Sequence, residues 1–184
     1  APDELTTPPT PQAIQQEALK ALEETREQGN TAGLVVLATG LGKTWLSAFD
    51  SHRPDFRRIL FVAHREEILR QALRTYREVL RDPEFGDLLT GSHQPERWDH
   101  LFATIDSVTT RDLVATVGAD HWHSVVVDEC HRLAADRFDA FVKSVRPSVL
   151  LGLTATPERS DGQPIAQYFD ARPDGSPAVE LRLW

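Results

Sequence analysis

The chain has 184 residues, 40% of them hydrophobic and 26% charged, a length and balance that suit one well-buried core and exclude wholesale disorder. No apolar run approaches the roughly 18 residues of a membrane span. The polar, proline-rich start Ala1–Pro11 is no signal peptide, and the single cysteine, Cys130, excludes an internal disulfide and suits a reducing cytoplasm.

In chain order, the first predicted element is a helix over Gln12–Gln28, with Ile14, Ala18, Ala21, Leu22 and Thr25 on one face. A strand at Leu34–Leu37 runs into the turn Ala38-Thr39-Gly40-Leu41-Gly42-Lys43-Thr44, and a helix follows over Trp45–Ser51. Strand Ile59–Ala63 precedes a helix over Glu66–Arg81, whose apolar stripe is Ile68, Leu69, Ala72, Leu73, Tyr76, Val79 and Leu80. The arginines Arg70, Arg74, Arg77 and Arg81 stand at helical spacing among Glu66, Glu67 and Glu78, and read as a solvated face. Arg81–Arg97, with Asp82-Pro83, Gly86 and Gly91-Ser92, reads as loop.

Further on come strand Leu101–Thr104, helix Ser107–Val117, strand Ser124–Val127, helix Asp136–Ser144 and strand Val149–Leu153. Both of those helices open on good capping residues, Ser107 and Asp136. The strands are short, Leu- or β-branched-rich and without alternation, as expected of strands covered on both faces. Strands alternating with helices predict an α/β domain of three layers, a mainly parallel central sheet between helices. The proline- and glycine-rich stretch Pro157–Pro177 is expected to run over the surface, with Val179–Leu183 as a last strand. The lack of any Met and the abrupt stop at Trp184 lead us to expect a single domain, residues 1–184, excised from a longer chain.

Three segments carry chemistry. A strand, a glycine-containing turn, Lys-Thr and a helix make up what phosphate binding requires. Turn N–H groups and the helix N-terminus face the phosphates, Lys43 reaches the outer ones, and Thr44 offers its hydroxyl to Mg²⁺. The full P-loop pattern asks for a glycine where this chain has Leu37. The second segment, Val125-Val126-Val127-Asp128-Glu129-Cys130-His131, is a buried strand ending in two acids and a histidine. Asp128 can hold Mg²⁺, directly or through water, and Glu129 can orient or deprotonate an attacking water. The third, Leu151-Gly152-Leu153-Thr154-Ala155-Thr156-Pro157, is a buried strand with hydroxyls at its end. Thr154 and Thr156 are placed to bond His131 and relay the state of the γ-phosphate; alternatively they satisfy a turn before Pro157. His121, His123, Cys130 and His131 lack zinc-ligand spacing, and Cys130 reads as a packing residue.

These three segments resemble motifs I, II and III of superfamily 2 helicases, in the DEAD/DEAH-box branch with a DExH variant of motif II. Leu37 fits that resemblance, since the first P-loop glycine is commonly absent there. Phe61–Leu69 looks like motif Ia and Ala103–Val108 like the segment called Ic, so the likeness covers most of Thr10–Gly162. Leu151–Gly162 is especially similar to the branch holding the helicase subunits of type I and III restriction systems and UvrB-like proteins.

The resemblance implies a RecA-like P-loop domain that binds ATP with Mg²⁺ and couples hydrolysis to nucleic-acid unwinding or translocation. Thr39, Gly40, Leu41, Gly42, Lys43 and Thr44 would bind phosphates, and Thr44 and Asp128 the metal. Lys43, Asp128, Glu129 and His131 would form the catalytic set, with Thr154 and Thr156 as coupling residues. An adenine-reading glutamine is implied upstream; Gln12-Ala13-Ile14-Gln15 aligns with its segment, which assigns Gln15, although Gln12 and Ile14 replace the usual arginine and aromatic. Arg65, Thr104 and Ser107 are the implied phosphate contacts to nucleic acid, DNA ahead of RNA, with Thr90-Gly91 weaker; an ion pair of Arg65 with neighbouring glutamates is the alternative. A net charge of −8 argues against non-specific coating of nucleic acid but permits such a local track. The remaining implied partner is a second RecA-like domain carrying arginine fingers, without which hydrolysis would be slow. A translocase that never unwinds, as in a restriction or anti-phage complex, and a nucleotide-dependent switch are the rival readings. Glu129 counts against the switch.

Overall fold

The computed structural model describes residues 13–27, 32–37, 40–52, 56–110, 113–129, 135–145, 147–154 and 180–183. Its strands are β1 (Ala32–Leu37), β2 (Ile59–Ala63), β3 (Asp87–Leu89), β4 (Leu101–Thr104), β5 (Ser124–Asp128), β6 (Val149–Thr154) and β7 (Glu180–Leu183). They form one sheet in the order β3-β4-β2-β5-β6-β1-β7, and every described pairing is parallel. The helices are α1 (Ala13–Glu27), α2 (Gly40–Ser51), α3 (Glu66–Val79), α4 (Ile105–Thr110), α5 (Leu113–Val117) and α6 (Ala135–Ser144).

The continuous apolar runs become strands because both faces of the sheet are covered. Every residue of β2 and β5 is buried. Successive side chains point to opposite faces, so Leu60, Val62, Val125 and Val127 enter a core with Val108, Trp122 and Phe141. Ile59, Phe61, Ala63 and Val126 enter a second core, with Ala18 and Leu22 of α1, Leu46 of α2, and Leu69, Leu73 and Tyr76 of α3. Three layers result, as the alternation of elements predicts, and the fold is RecA-like.

The topology also prepares a crevice. The chain leaves β1 for β2, and the strands between them, β5 and β6, are filled in later. Pairing of Val36 with Thr154, and of Leu153 with Asp128, keeps the C-terminal ends of β1, β6 and β5 level. Parallel sheets bind ligands at such a place.

Several expectations need correction. The stretch Arg81–Arg97 is not all loop, since it contains edge strand β3, whose three residues are too short to show a period. The helix expected over Ser107–Val117 is two described helices, α4 and α5, and the first begins at Ile105. Its cap is therefore Thr104, which accepts the Ser107 amide at Oγ1 at 3.2 Å, and Ser107 lies inside the first turn. The helix assigned to Trp45–Ser51 already begins at Gly40, and α6 begins at Ala135, so Asp136 is within its first turn. Among the arginines, Arg70 is exposed and pairs with Glu66 at 3.3 Å. Arg77 instead donates to the Phe85 and Gly86 carbonyls at 2.7 and 3.1 Å, fastening α3 to the chain entering β3. The expected surface course of Pro157–Pro177 lies outside the described residues. No helix among the described residues is long and apolar enough to cross a membrane.

Candidate nucleotide site

Because α2 begins at Gly40, Gly42 and Lys43 stand in its first turn and Thr44 directly after it, at the positive end of the helix dipole; the amides of Gly40, Leu41 and Gly42 come too early to have a partner within the helix. Lys43 is 1% exposed, an extreme burial for a lysine. Two acids meet it there. Its ammonium donates to Glu129 Oε1 in a close ion pair, and lies 3.9 Å from Asp128 Oδ1. The turn after β1 and the end of β5 are thus brought together from opposite sides of β6, across 86 residues of sequence.

Asp128 closes β5 and is 4% exposed. Its Oδ1 is buried and has no hydrogen-bond partner among the described residues, since 3.9 Å from Lys43 is beyond hydrogen-bond reach. Burial pushes its carboxyl up to about 6, against the pull of Lys43. Glu129 follows with φ +50°, a left-handed backbone that a non-glycine residue adopts at a cost. That conformation turns the chain sharply off the strand and sets Glu129 against Lys43, half-exposed, while Asp128 stays inside.

Gln15, near the start of α1, is buried and donates from Nε2 to the Gly42 carbonyl at 3.4 Å. Thr44 is 7% exposed, and Thr154, at the end of β6, is fully buried between the two strands that carry the acids and the turn. Thr39, His131 and Thr156 lie outside the described residues, as do Cys130 and the proposed contacts of His131 with the threonines. Gly40 and Leu41 are described by their backbone alone.

The nucleic-acid candidates gather on the other half of the same edge. Arg65, exposed, precedes α3 at the end of β2; Thr104 ends the neighbouring β4. Thr104 Oγ1 donates to Ser107 Oγ at 2.8 Å, so the two hydroxyls are engaged with each other, and Ser107 is buried. Arg65 forms no described ion pair with Glu66; that acid accepts instead from Thr90 Oγ1 at 3.0 Å, as well as from Arg70. The Thr90 hydroxyl holds the Glu66 carboxyl below the usual carboxylate range. His121 donates from Nε2 to the Trp98 carbonyl at 2.9 Å.

Two contacts are invisible in the sequence. One is the link from Gln15 to the turn. The other is a bidentate ion pair of Arg26 with Asp50, at 2.6 and 2.8 Å, joining α1 to α2. Neither has a sequence signal, because the partners are 27 and 24 residues apart on different helices.

Comparison with known proteins gives the family and the fold. Residues 9–159 match the family model described as Type III restriction enzyme, res subunit. The chain is 27% identical over 168 residues to a putative mitochondrial ATP-dependent helicase, irc3, of Schizosaccharomyces pombe; the match takes in 85% of this chain but 27% of that one. Among solved structures it resembles the UvsW helicase of bacteriophage T4, at a TM-score of 0.71 and 14% identity, covering 96% of this chain and 61% of that one. It also resembles a nuclease-deletion mutant of the Type ISP restriction-modification enzyme LlaGI in complex with a DNA substrate mimic, at a TM-score of 0.69 and 19% identity, covering 96% of this chain and 20% of that one. The chain belongs to the family of Type III restriction enzyme res subunits, and is a RecA-like domain of the DExH type in helicase superfamily 2.

Proposed function

We propose that this chain is the ATP-binding domain of a nucleic-acid-dependent ATPase, a helicase or translocase that acts on DNA ahead of RNA. The observation that carries the reading is the meeting of Lys43 with Asp128 and Glu129 across the ends of β1 and β5. A buried cation and two acids at a helix N-terminus suit a triphosphate and its metal, and a simple structural turn has no need of them.

Lys43 binds the outer phosphates of ATP and must leave Glu129 to do so. That exchange frees the Glu129 carboxylate to accept a proton from, or orient, the attacking water. Residues 40–44 at the start of α2 supply N–H groups to the phosphates, Thr39 extends that cradle, and Gln15 reads the adenine. The donor set fits Mg²⁺: a buried carboxylate oxygen of Asp128 without a hydrogen-bond partner and a hydroxyl residue, Thr44, suit a hard cation that keeps most of its waters. Bound there, Mg²⁺ would supply neutralisation of charge on the phosphates. His131, Thr154 and Thr156 relay the phosphate state to the nucleic-acid edge, where Arg65, Thr104 and Ser107 stand. The DNA-bound LlaGI relative supports the choice of DNA. A second RecA-like domain completes the site with arginines, so this domain by itself binds ATP and hydrolyses it slowly.

The test measures ATP hydrolysis by the domain alone and together with a second RecA-like domain, in the presence of single-stranded DNA, duplex DNA or RNA. Stimulation by one polymer, abolished by Lys43→Ala and by Glu129→Gln, is the expected result. ATP binding without stimulated hydrolysis under all conditions would replace the motor with a switch, and fast turnover by the lone domain would refute the need for a second one.

A further inference from the structure

Helix α1 is fastened to α2 near both of its ends. At its start Gln15 reaches the Gly42 carbonyl. About 16 Å further along the helix, at 1.5 Å per residue, the Arg26 guanidinium meets both carboxylate oxygens of Asp50, at 2.6 and 2.8 Å. The pair is largely shielded, with Asp50 buried at 3% side-chain exposure and Arg26 partly buried at 16%. The same guanidinium lies 5.4 Å from the centre of the Phe56 ring. Between the two fastenings α1 turns Ala18 and Leu22 into the core, with Leu19 partly buried against it. The helices run side by side in the same direction, since Gln15 and Gly42 are near their starts and Arg26 and Asp50 near their ends.

Apolar contacts resist separation far better than sliding or rotation, because dispersion and the hydrophobic effect have little directionality. A planar guanidinium fork on a carboxylate fixes both distance and angle. A buried ion pair is also a poor source of stability, since desolvation offsets its attraction, and its best-attested use is to set a register. Reading a base edge is a task that needs such a register, because hydrogen bonds to adenine tolerate little displacement.

We infer that Arg26 and Asp50 are a positioning pair for base selection: they set α1 against α2 so that the Gln15 amide is held at the base of a bound adenine nucleotide. The inference rests on the proposed role of Gln15. Arg26 and Asp50 lie at the far end of both helices from the phosphate turn, so the pair acts on selectivity among bases and leaves phosphate binding alone.

Binding of ATP, GTP and inorganic tripolyphosphate, each with Mg²⁺, to the wild type, Gln15→Ala, Arg26→Lys and the double variant R26M/D50L tests this. The double variant keeps apolar bulk without a lone buried charge; Arg26→Lys keeps the charge without the fork and decides the matter if the double variant fails to fold. The wild type is expected to prefer ATP over GTP, and Gln15→Ala and R26M/D50L to lower that preference by about three- to tenfold, the worth of a single hydrogen bond. Arg26→Lys should fall between, with tripolyphosphate affinity unchanged in Arg26→Lys and in R26M/D50L. A wild-type preference in R26M/D50L and Arg26→Lys, alongside its loss in Gln15→Ala, would overturn the pair's role and leave Gln15 standing. Full preference in Gln15→Ala, or none in the wild type, would overturn the reading of Gln15 and the inference with it. Equal loss for all three ligands in the paired variants would reduce Arg26–Asp50 to a fold contact.

Discussion

The two halves of the sheet's C-terminal edge are built on opposite electrostatic plans. At β1, β6 and β5, Lys43 and Asp128 are almost wholly buried, one Asp128 oxygen has no hydrogen-bond partner among the described residues, and Glu129 holds a strained backbone. At β2, β4 and β3, polar groups are engaged with each other, Thr104 with Ser107 and Thr90 with Glu66, while Arg65 is exposed. The first half stores unfavourable desolvation that a charged ligand can relieve. The second pairs its hydroxyls with each other and with an acid and leaves Arg65 exposed, so a ligand there gains modest, solvent-screened contacts. Substitutions in the first half should therefore produce large, specific effects, and those in the second small, graded ones.

The largest effects belong to Lys43 and Glu129. Lys43→Ala should abolish measurable ATP hydrolysis and sharply weaken nucleotide binding. Glu129→Gln should retain ATP while lowering stimulated hydrolysis by about 10²–10⁴, the usual span of general acid–base contributions. Titration with ATP and steady-state hydrolysis check both; wild-type turnover in Glu129→Gln would move the water-activating role elsewhere.

Asp128 comes next, through stability. Its folded carboxyl titrates at about 6, above its ordinary value of 3.8. Between those values the folded state holds a proton that the unfolded chain has lost, so without metal stability should fall from about pH 4 to about pH 6 and then level off. Asp128→Asn escapes that loss and should be more stable than wild type at pH 7 by about 2–3 kcal/mol, the advantage vanishing below about pH 4. Urea unfolding across pH measures it. A less stable variant at pH 7 would show that Asp128 is satisfied in the empty site and would erase the contrast between the halves.

The other half should respond more gently. Thr104→Ala removes the cap of α4 and should cost about 1 kcal/mol in urea unfolding. Because the Thr104 and Ser107 hydroxyls already engage each other, this change should alter nucleic-acid affinity little; a loss above tenfold would make Thr104 a direct contact. Arg65→Ala should leave stability unchanged, weaken nucleic-acid binding evenly across sequences, and lower the salt slope by about 1. An unchanged slope would remove Arg65 from the phosphate track.

Much of the fold is legible along the chain because its rules are local. Strands covered on both faces need continuous apolar runs, so β2 and β5 stand out as Ile59–Ala63 and Ser124–Val127. The stripe from Ile68 to Val79 needs only helical periodicity. Asp87–Leu89 escapes notice because three residues on a sheet edge carry no period and take their structure from pairing with Leu101–Ala103. Helix α4 begins at Ile105, earlier than the cap Ser107 suggests, because the end of β4 puts Thr104 in the capping place.

By itself the sequence determined the turn before Lys43-Thr44 and the strand that ends in Asp128-Glu129, since a glycine turn and a hydrophobic run are local patterns with local reasons. Their meeting was decided by the tertiary structure, because strand order and register set which loops share an edge. The same holds for the desolvation that raises Asp128, the left-handed turn at Glu129 and the fastening of α1 by Arg26 and Asp50. Each depends on groups far apart in sequence, and burial and pairing energies exist only once the chain has brought those groups together.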